Sequence, residues 1–199
     1  TMLEVYAAYA DYKGMMQLVS DIIRHVALEV LGTDKINYQG ILYFGVIIDK
    51  HNNPVLLEYN CRFGDPETQC ILPLLSTPIS DIFESVISNK LSEIKLNWKN
   101  DLYSVCVVTA SKGYPENYEV NKPINFNDLK KYVDNNLYVF SAGIKYQDEG
   151  YFTNGGRVLN IVGLDNDLSI AKQITYNAIK KIKYENIYFR TDIGINKYV

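Results

Sequence analysis

Residues 40–60 read GILYFGVIIDKHNNPVLLEYN and decide the fold of the first half of the chain. The first ten of them, 40–49, are almost continuously apolar, which predicts a strand buried on both faces. The sequence His51-Asn52-Asn53-Pro54 is typical of a turn, and residues 55–59 (VLLEY) form a second strand. Two strands joined by so short a turn form a hairpin, so the sheet is predicted to be at least partly antiparallel.

Helical patterns flank this hairpin. Residues 15–31 predict an amphipathic helix with Gly32 at its C-cap, and residues 78–90 predict a second helix. Residues 60–69 between strand and helix are predicted to be a loop, because Gly64 and Pro66 break regular structure. The apolar stripe of the first helix consists of Leu18, Ile22, Val26 and Val30.

A second series of strand and helix patterns begins after a polar linker at residues 91–101. Strands are predicted at 103–110, 137–144 and 156–163. A final helix, capped by Asp167 or Ser169, runs to about Lys183 with an apolar stripe of Ala171, Ile174, Ala178 and Ile182. The expected fold class is α+β, with one part over residues 1–97 and a small α+β domain with its own core over residues 98–199.

Composition excludes several classes of protein. The formal net charge of -3 and the interspersed charges argue against nucleic acid as a partner. The apolar runs are too short for a membrane helix, so no membrane association is expected. Three cysteines without a C-x-x-C pair and two histidines argue against a disulfide framework, a structural zinc site and a histidine-rich metal site. Reduced thiols and the absence of a signal peptide indicate a cytoplasmic protein.

The end of the second predicted strand carries the clearest chemistry. Glu58 and Asn60 are two residues apart, so their side chains point to the same face of a strand. Both offer hard oxygen ligands, which suit Mg²⁺ when phosphate oxygens and water complete its shell. Arg62 follows at the same spacing, and its guanidinium suits a phosphoryl oxygen or a carboxylate. The plain alternative is a solvated glutamate at a strand end.

Two further segments hold candidate site residues. The loop at residues 62–68 (RFGDPET) contains two acids, Asp65 and Glu67, although a simple turn explains part of it equally well. The segment Thr153-Asn154-Gly155-Gly156-Arg157 combines glycines, whose backbone N–H groups can approach an anion, with a neighbouring positive charge. An ordinary glycine-rich turn is the alternative there. Arg190 and Asp192 are predicted to form a structural ion pair.

Five segments, in order along residues 38–194, resemble the phosphoribosylamine–glycine ligase family of the ATP-grasp superfamily. They are GILYFGVIID, LLEYNCRFGDPETQ, VTASKGYPENY, TNGGRVLNIVG and FRTDIG. The resemblance implies that residues 1–97 are the C-terminal part of an ATP-grasp domain, with a mixed or antiparallel sheet and helices. Residues 98–199 would be the C-terminal domain of that family. Residues 1–14 show no recognisable match.

The resemblance also implies a reaction and its cofactors. ATP would phosphorylate the carboxylate of glycine, and the amine of 5-phosphoribosylamine would attack the glycyl phosphate. The products would be glycinamide ribonucleotide, ADP and phosphate, in purine synthesis. Mg²⁺ or Mn²⁺ would be the metal and ATP the co-substrate.

Carried over residue by residue, the resemblance assigns roles in the site. Glu58 and Asn60 would be the metal ligands. Arg62 would stabilise the transferring phosphoryl group or hold the glycine carboxylate. Asp65 and Glu67 would either hold the loop in place or receive the glycine ammonium. By analogy with related purine-pathway enzymes, the loop formed by Asn154, Gly155, Gly156 and Arg157 would bind the ribose 5-phosphate.

The sequence departs from the family in extent. The N-terminal half, with its glycine-rich loop and the residues that clasp adenine, is missing, so that half is an expected partner and this chain is expected to be inactive alone. An ATP-grasp carboxylase is one alternative. In that group an R-x-x-x-E-H pattern follows the asparagine, and no such pattern follows Asn60 here, which disfavours this alternative. A non-catalytic interaction module derived from the same fold is the other alternative.

Overall fold

The computed structural model describes residues 4–6, 12–34, 38–48, 54–126, 129 and 136–195. These residues form two compact units. The first comprises the described residues up to Gly64 together with Ile79–Lys95, and the second comprises Asp65–Pro78 together with the described residues from Leu96 onward. Each unit is thus discontinuous in sequence, and the domain division at residue 97 stays a prediction. No described helix combines the length and apolar character needed to cross a membrane.

Helices and strands alternate along the chain, which gives the α+β class that the sequence predicts. In order they are β1 (Glu4–Tyr6), α1 (Tyr12–Leu31), β2 (Tyr43–Ile48), β3 (Pro54–Asn60), α2 (Glu67–Ile71), a 3-10 helix (Leu72–Leu74), α3 (Ile79–Ile87), β4 (Tyr103–Ser111), β5 (Pro123–Ile124), β6 (Leu137–Ser141), β7 (Ile144–Gln147), β8 (Gly150–Thr153), β9 (Arg157–Asp165), α4 (Leu168–Ile179) and β10 (Ile187–Tyr188).

The sheet of the first unit is mixed. Its strand order is β1-β2-β3, with β1 parallel and β3 antiparallel to β2. The antiparallel pairing predicted for residues 40–60 is therefore confirmed, although the turn at 49–53 lies outside the described residues. Tyr43, Phe44 and Gly45 are only half buried, so the predicted burial on both faces is wrong for these residues. Burial on both faces requires a full layer against each side of the sheet.

Helix α1 begins earlier than the sequence predicts and ends where it predicts. Gly32 takes a φ of +67°, the left-handed conformation of a glycine C-cap. The predicted apolar stripe is wrong in part: Val26 and Val30 are 52% and 73% exposed, whereas Ala27 is buried. The helix therefore turns a different face inward, and the side chain of Leu18 lies outside the described residues.

The core of the second unit lies around β9. The antiparallel sheet β10-β4-β9-β6 contains it, and the three-stranded sheet β5-β8-β7 is separate. A Cβ atom added at Gly163 would meet helix α4, while Asn160, on the opposite face of β9, contacts Asp65. Helix α4 thus covers one face of β9 and the segment that begins at Asp65 reaches the other. This two-sided cover explains why residues 158–164 are buried.

Three element boundaries differ from the predictions. Helix α2 begins at Glu67, inside the predicted loop 60–69. The predicted strand 137–144 is two strands, because a turn at residues 142–143 separates β6 from β7. Helix α4 ends at Ile179 rather than near residue 183, and Ile182 is buried just beyond the helix end. The predicted stripe of α4 is otherwise confirmed, since Ala171 and Ala178 are buried and Ile174 packs against the core.

The N-cap of α4 is Asp167 rather than Ser169. Its carboxylate accepts hydrogen bonds from the backbone N–H of Ser169 at 2.7 Å and of Ile170 at 3.4 Å, and from the Ser169 hydroxyl at 2.6 Å. The Ser169 hydroxyl bond, followed by the two backbone bonds, holds the pKa of Asp167 below its usual range. These bonds satisfy donors that a helix start otherwise leaves open.

We expect Asp167→Ala to lower the melting temperature at neutral pH, because these donors lose their acceptor. Since the pKa of Asp167 is lowered in the folded chain, its contribution is present above the ordinary aspartate pKa. It is lost as the pH falls through the lowered value. Thermal unfolding followed by circular dichroism should therefore show a difference from the unchanged chain that shrinks in acid. Asp101→Ala, at an exposed turn, is the control. If Asp167→Ala lowers the melting temperature equally at neutral and at acidic pH, the capping role of Asp167 is contradicted.

Candidate functional site

Glu58 and Asn60 lie together on β3, as the sequence predicts. They pair in regular register with Gly45 and Tyr43 of β2, and the register shift in this hairpin falls before them, between Gly45 and Val46. Residues two apart on a regular strand share a face, so the carboxylate and the amide project together. Glu58 is exposed and Asn60 is half buried at the strand end.

Two local features suit this pair to a ligand. The side-chain nitrogen of Asn60 is buried and has no hydrogen-bond partner among the described residues, an arrangement that costs free energy unless a function requires it. A Cβ atom at Gly45 would lie 3.2 Å from Cγ of Glu58, so glycine at this position leaves room for the glutamate side chain. No cluster of three or more histidine, cysteine, aspartate or glutamate side chains that could bind a metal occurs in the described part of the chain.

Arg62 follows the strand and is exposed. Its Nη1 donates a hydrogen bond of 2.8 Å to the backbone oxygen of the next residue, Phe63. One guanidinium nitrogen is therefore used within the loop. An arginine carries five N–H donors, and the other donors of Arg62 have no acceptor among the described residues.

Asp65 is the centre of a hydrogen-bond network inside the second unit. Its Oδ1 accepts from the side-chain amides of Gln69 at 2.8 Å and Asn160 at 3.3 Å. Its Oδ2 lies 3.6 Å from Nη1 of Arg157, which also donates to the backbone oxygen of Asp65. Three side chains thus hold this carboxylate, and the contacts favour the first of its two expected roles, holding the loop in place.

Glu67 differs from Asp65. It is the first residue of α2, and it is half buried. No hydrogen bond or ion pair of its carboxylate occurs among the described residues. Of the two acids in the loop, Glu67 is therefore the one whose charge has no partner in the part of the chain that the structure describes.

The glycines of the segment 153–157 serve close packing. A Cβ atom at Gly156 would lie 2.0 Å from Cδ2 of Tyr114, and one at Gly155 would lie 3.1 Å from Cα of Gly143. The backbone oxygens of both glycines accept hydrogen bonds from Ser111. Their N–H groups have no acceptor among the described residues, so the turn combines tight packing with two unpaired backbone donors, one on half-buried Gly155 and one on buried Gly156.

Arg157 lies at the centre of this arrangement. Its Nε donates to the hydroxyl of Tyr114 at 3.1 Å, and its guanidinium carbon is 5.8 Å from the centre of that ring, within cation–π range. Its Nη1 faces Asp65, as described above. Asn154, the fourth predicted residue, donates its backbone N–H to the oxygen of Gly143 at 2.7 Å.

The sequence did not single out Tyr114, Gln69 or Asn160. Tyr114 and Asn160 join this network because residues far apart in sequence meet: 43 residues separate Tyr114 from Arg157, and 95 separate Asp65 from Asn160. Gln69 is a local partner, four residues from Asp65. A buried asparagine in a strand that is otherwise apolar was the one available signal. Asn160 is fully buried, and its oxygen has no partner among the described residues.

A cavity of about 400 Å³ in the second unit adjoins this region and contains a charge cluster. Nζ of Lys122 lies 2.7 Å from Glu119 and 3.1 Å from Glu185. The hydrogen bond to Glu119, then that to Glu185, raises the pKa of Lys122, and the same lysine lowers the pKa of Glu119. This cation is already neutralised by protein carboxylates and offers little to an anionic ligand.

The predicted ion pair near the end of the chain is confirmed. Nε and Nη2 of Arg190 lie 2.9 Å and 2.6 Å from the two carboxylate oxygens of Asp192. Tyr176 of α4 donates its hydroxyl to the backbone oxygen of Arg190 at 3.0 Å. The hydroxyl of Tyr176 therefore holds this part of the chain against α4, while the ion pair itself is local and exposed.

Comparison with known proteins agrees with this architecture. The family model described as phosphoribosylglycinamide synthetase, ATP-grasp (A) domain, matches residues 6–68, and that of the C domain matches residues 104–196. The match from residue 6 corrects the prediction that residues 1–14 have none.

Individual relatives point the same way. The phosphoribosylamine–glycine ligase of Caldanaerobacter subterraneus is 40% identical over 94% of this chain and 43% of its own length. The trifunctional purine biosynthetic protein adenosine-3 of Gallus gallus is 37% identical over 92% of this chain and 18% of its own length. The crystal structure of the phosphoribosylamine–glycine ligase of Thermotoga maritima superimposes with a TM-score of 0.62 at 29% identity, over 76% of this chain and 36% of that one.

The chain spans less than half the length of the curated relatives it matches. Within that span, both family models apply in the correct order and together cover most of the residues. The chain belongs to the phosphoribosylamine–glycine ligase family, of which it comprises the C-terminal part of the ATP-grasp domain and the C domain.

Proposed function

We propose that this chain forms part of an ATP-dependent ligase that joins glycine to 5-phosphoribosylamine. In this reaction ATP would phosphorylate the glycine carboxylate, and the amine would displace phosphate from the glycyl phosphate to give glycinamide ribonucleotide. Membership of the family supports the proposal, as do the names of the relatives. Because the chain spans less than half of those relatives, the activity is proposed for the whole protein. A cytosolic location is part of the same proposal and rests on the cysteine content.

The pair Glu58 and Asn60 is the single observation that carries the proposal. One carboxylate and one amide oxygen on the same face of β3 fit Mg²⁺ or Mn²⁺, which would complete its shell with phosphate oxygens and water. The buried side-chain nitrogen of Asn60, which has no acceptor among the described residues, is a donor and would suit a phosphate oxygen rather than the metal. A bound metal would supply charge compensation for the phosphoryl group. Arg62, with most of its donors free, would hold a phosphoryl oxygen or the glycine carboxylate.

The two acids of the loop are proposed to have different roles. Asp65 would hold the loop, because its carboxylate already meets Gln69, Asn160 and Arg157. Glu67 would receive the glycine ammonium, since its carboxylate has no partner among the described residues. This division chooses between the two roles that the sequence left open for both residues.

The turn at residues 154–157 is proposed to bind the ribose 5-phosphate. The open N–H groups of Gly155 and Gly156 are the kind of backbone donors that bind anions. Nη2 of Arg157 donates to no acceptor among the described residues, and the guanidinium adds a positive charge beside them. Asn154 would keep the turn in place through its bond to Gly143.

We expect no ligase activity from this chain alone, because it spans less than half the length of the relatives and phosphoryl transfer depends on positioning of the nucleotide. The large exposure of Leu57 and Tyr59, 65% and 66%, supports a further segment packing on β3. The test is release of ADP that depends on glycine and 5-phosphoribosylamine, with and without the N-terminal half of a curated relative. Activity of the chain by itself would contradict this prediction. If the two halves associate but release no ADP, a non-catalytic module is favoured.

A further inference from the structure

Three of the segments that carry the family resemblance meet at one arginine inside the second unit. Arg157 belongs to the segment TNGGRVLNIVG, Tyr114 to VTASKGYPENY and Asp65 to LLEYNCRFGDPETQ. Tyr114 accepts from Nε of Arg157 at 3.1 Å, and Asp65 accepts from Nη1. Both partners approach from segments distant in sequence, so the guanidinium is held on two of its edges.

The donors of Arg157 divide into used and open ones. Tyr114 takes the single N–H of Nε, and Asp65 takes Nη1, so the two N–H donors of Nη2 remain. No acceptor for Nη2 occurs in the part of the chain that the structure describes. The Arg157 side chain is 38% exposed, which leaves that edge accessible to a small anion.

Tyr114 is itself fixed in place. Its ring lies against Gly156 so closely that a Cβ atom there would be 2.0 Å from Cδ2, and it meets the ring of Tyr118 at 5.9 Å in an edge contact. Its backbone N–H donates to the oxygen of Ser111 at 3.1 Å. The hydroxyl of Tyr114 is therefore a rigid acceptor at a defined point beside Arg157.

We propose that Tyr114 is a positioning residue, whose hydroxyl fixes Nε of Arg157 so that Nη2 stays turned outward for the phosphate of the substrate. This inference rests on the proposed function of the 154–157 turn as a phosphate site. A guanidinium fixed in advance loses less conformational freedom when the phosphate binds, which strengthens binding without a new contact.

The test compares Tyr114→Phe with Tyr118→Phe. Both changes remove one hydroxyl and keep the ring, but only the first removes the acceptor of Nε. Titration calorimetry of the whole chain with ribose 5-phosphate should show about 3- to 10-fold weaker binding for Tyr114→Phe, the range of one hydrogen bond. Tyr118→Phe should stay within about twofold. Equal weakening by both variants would overturn the assignment.

A second readout separates positioning from general damage. The Nε–H of Arg157, observed by ¹⁵N NMR without ligand, should exchange faster with water in Tyr114→Phe and not in Tyr118→Phe, at an unchanged melting temperature. An unchanged exchange rate in Tyr114→Phe would overturn the proposal.

If Tyr114→Phe binds ribose 5-phosphate normally, Arg157→Ala shows whether the phosphate site or only the role of Tyr114 is wrong. If this variant weakens binding of ribose 5-phosphate while Tyr114→Phe does not, the phosphate site stands and the role of Tyr114 is refuted. If the unchanged chain binds no ribose 5-phosphate, or Arg157→Ala binds it as well as the unchanged chain does, the proposed phosphate site and the role of Tyr114 both fail.

Discussion

Glu58→Ala is expected to lower the rate of ADP release at least about a thousandfold when the chain is assayed together with the N-terminal half of a relative. A metal that compensates the phosphoryl charge lowers the activation free energy of such reactions by several kcal/mol. Each 1.36 kcal/mol of activation free energy corresponds to a factor of ten in rate. Alanine would remove the only charged group of the proposed ligand pair. Folding should persist, because Glu58 is exposed on β3.

The matched control is Glu84→Ala. Glu84 is also exposed and belongs to the same unit, but it lies on α3. Its replacement should leave the rate within about twofold. Line broadening by Mn²⁺ gives a readout that does not need catalysis: NMR signals around Asn60 should broaden in the unchanged chain and in Glu84→Ala, but not in Glu58→Ala. Full activity of Glu58→Ala would refute the assignment of the metal site to β3.

The largest effect on stability is expected from a single methyl group, in Gly163→Ala. A Cβ atom there would lie 2.5 Å from the backbone oxygen of Ala171 and 2.6 Å from the hydroxyl oxygen of Thr175, so α4 would have to move away from β9. Overpacking of this kind costs about 1–3 kcal/mol. Because the clash involves helix backbone, we expect about 2 kcal/mol and, for a chain of 199 residues, a fall in melting temperature of about 4–8 °C.

The movement of α4 would also break a buried hydrogen bond. The hydroxyl of Thr175 lies 3.0 Å from the backbone oxygens of both Val105 and Ala171, so it links the helix to β4. Gly150→Ala is the control, since the nearest atom to its added Cβ is a ring carbon of Phe152 at 3.2 Å, which can shift. If thermal melts show the same small fall in melting temperature for both variants, the close packing of α4 on β9 is refuted.

Sequence periodicity predicted those features that depend on neighbouring residues. The antiparallel pairing of β2 with β3 followed from two apolar runs and a turn sequence. The common face of Glu58 and Asn60 followed from their spacing of two. The buried side of α4 followed from its helical spacing, because one face of that helix packs entirely on one sheet.

Helix α1 shows where periodicity fails. Several sets of apolar residues on α1 have helical spacing, and the prediction chose the set with Val26 and Val30, which leaves out Ala27. Only the tertiary contacts select Ala27 as the buried one. The turn after β6 is similar: a Cβ atom at Gly143 would lie 2.6 Å from Cα of Gly155, a contact with a distant segment that ends the strand.

The sequence by itself determined the family, the antiparallel pairing of β2 with β3 and the common face of Glu58 and Asn60. Each of these is encoded in residues that are neighbours in the chain. The tertiary structure alone decided that Asp65 contacts Arg157 and Asn160, and that Tyr114 lies on Gly156. Such contacts depend on how β9 is covered on both faces, and no local pattern of residues specifies which distant side chain will fill that space.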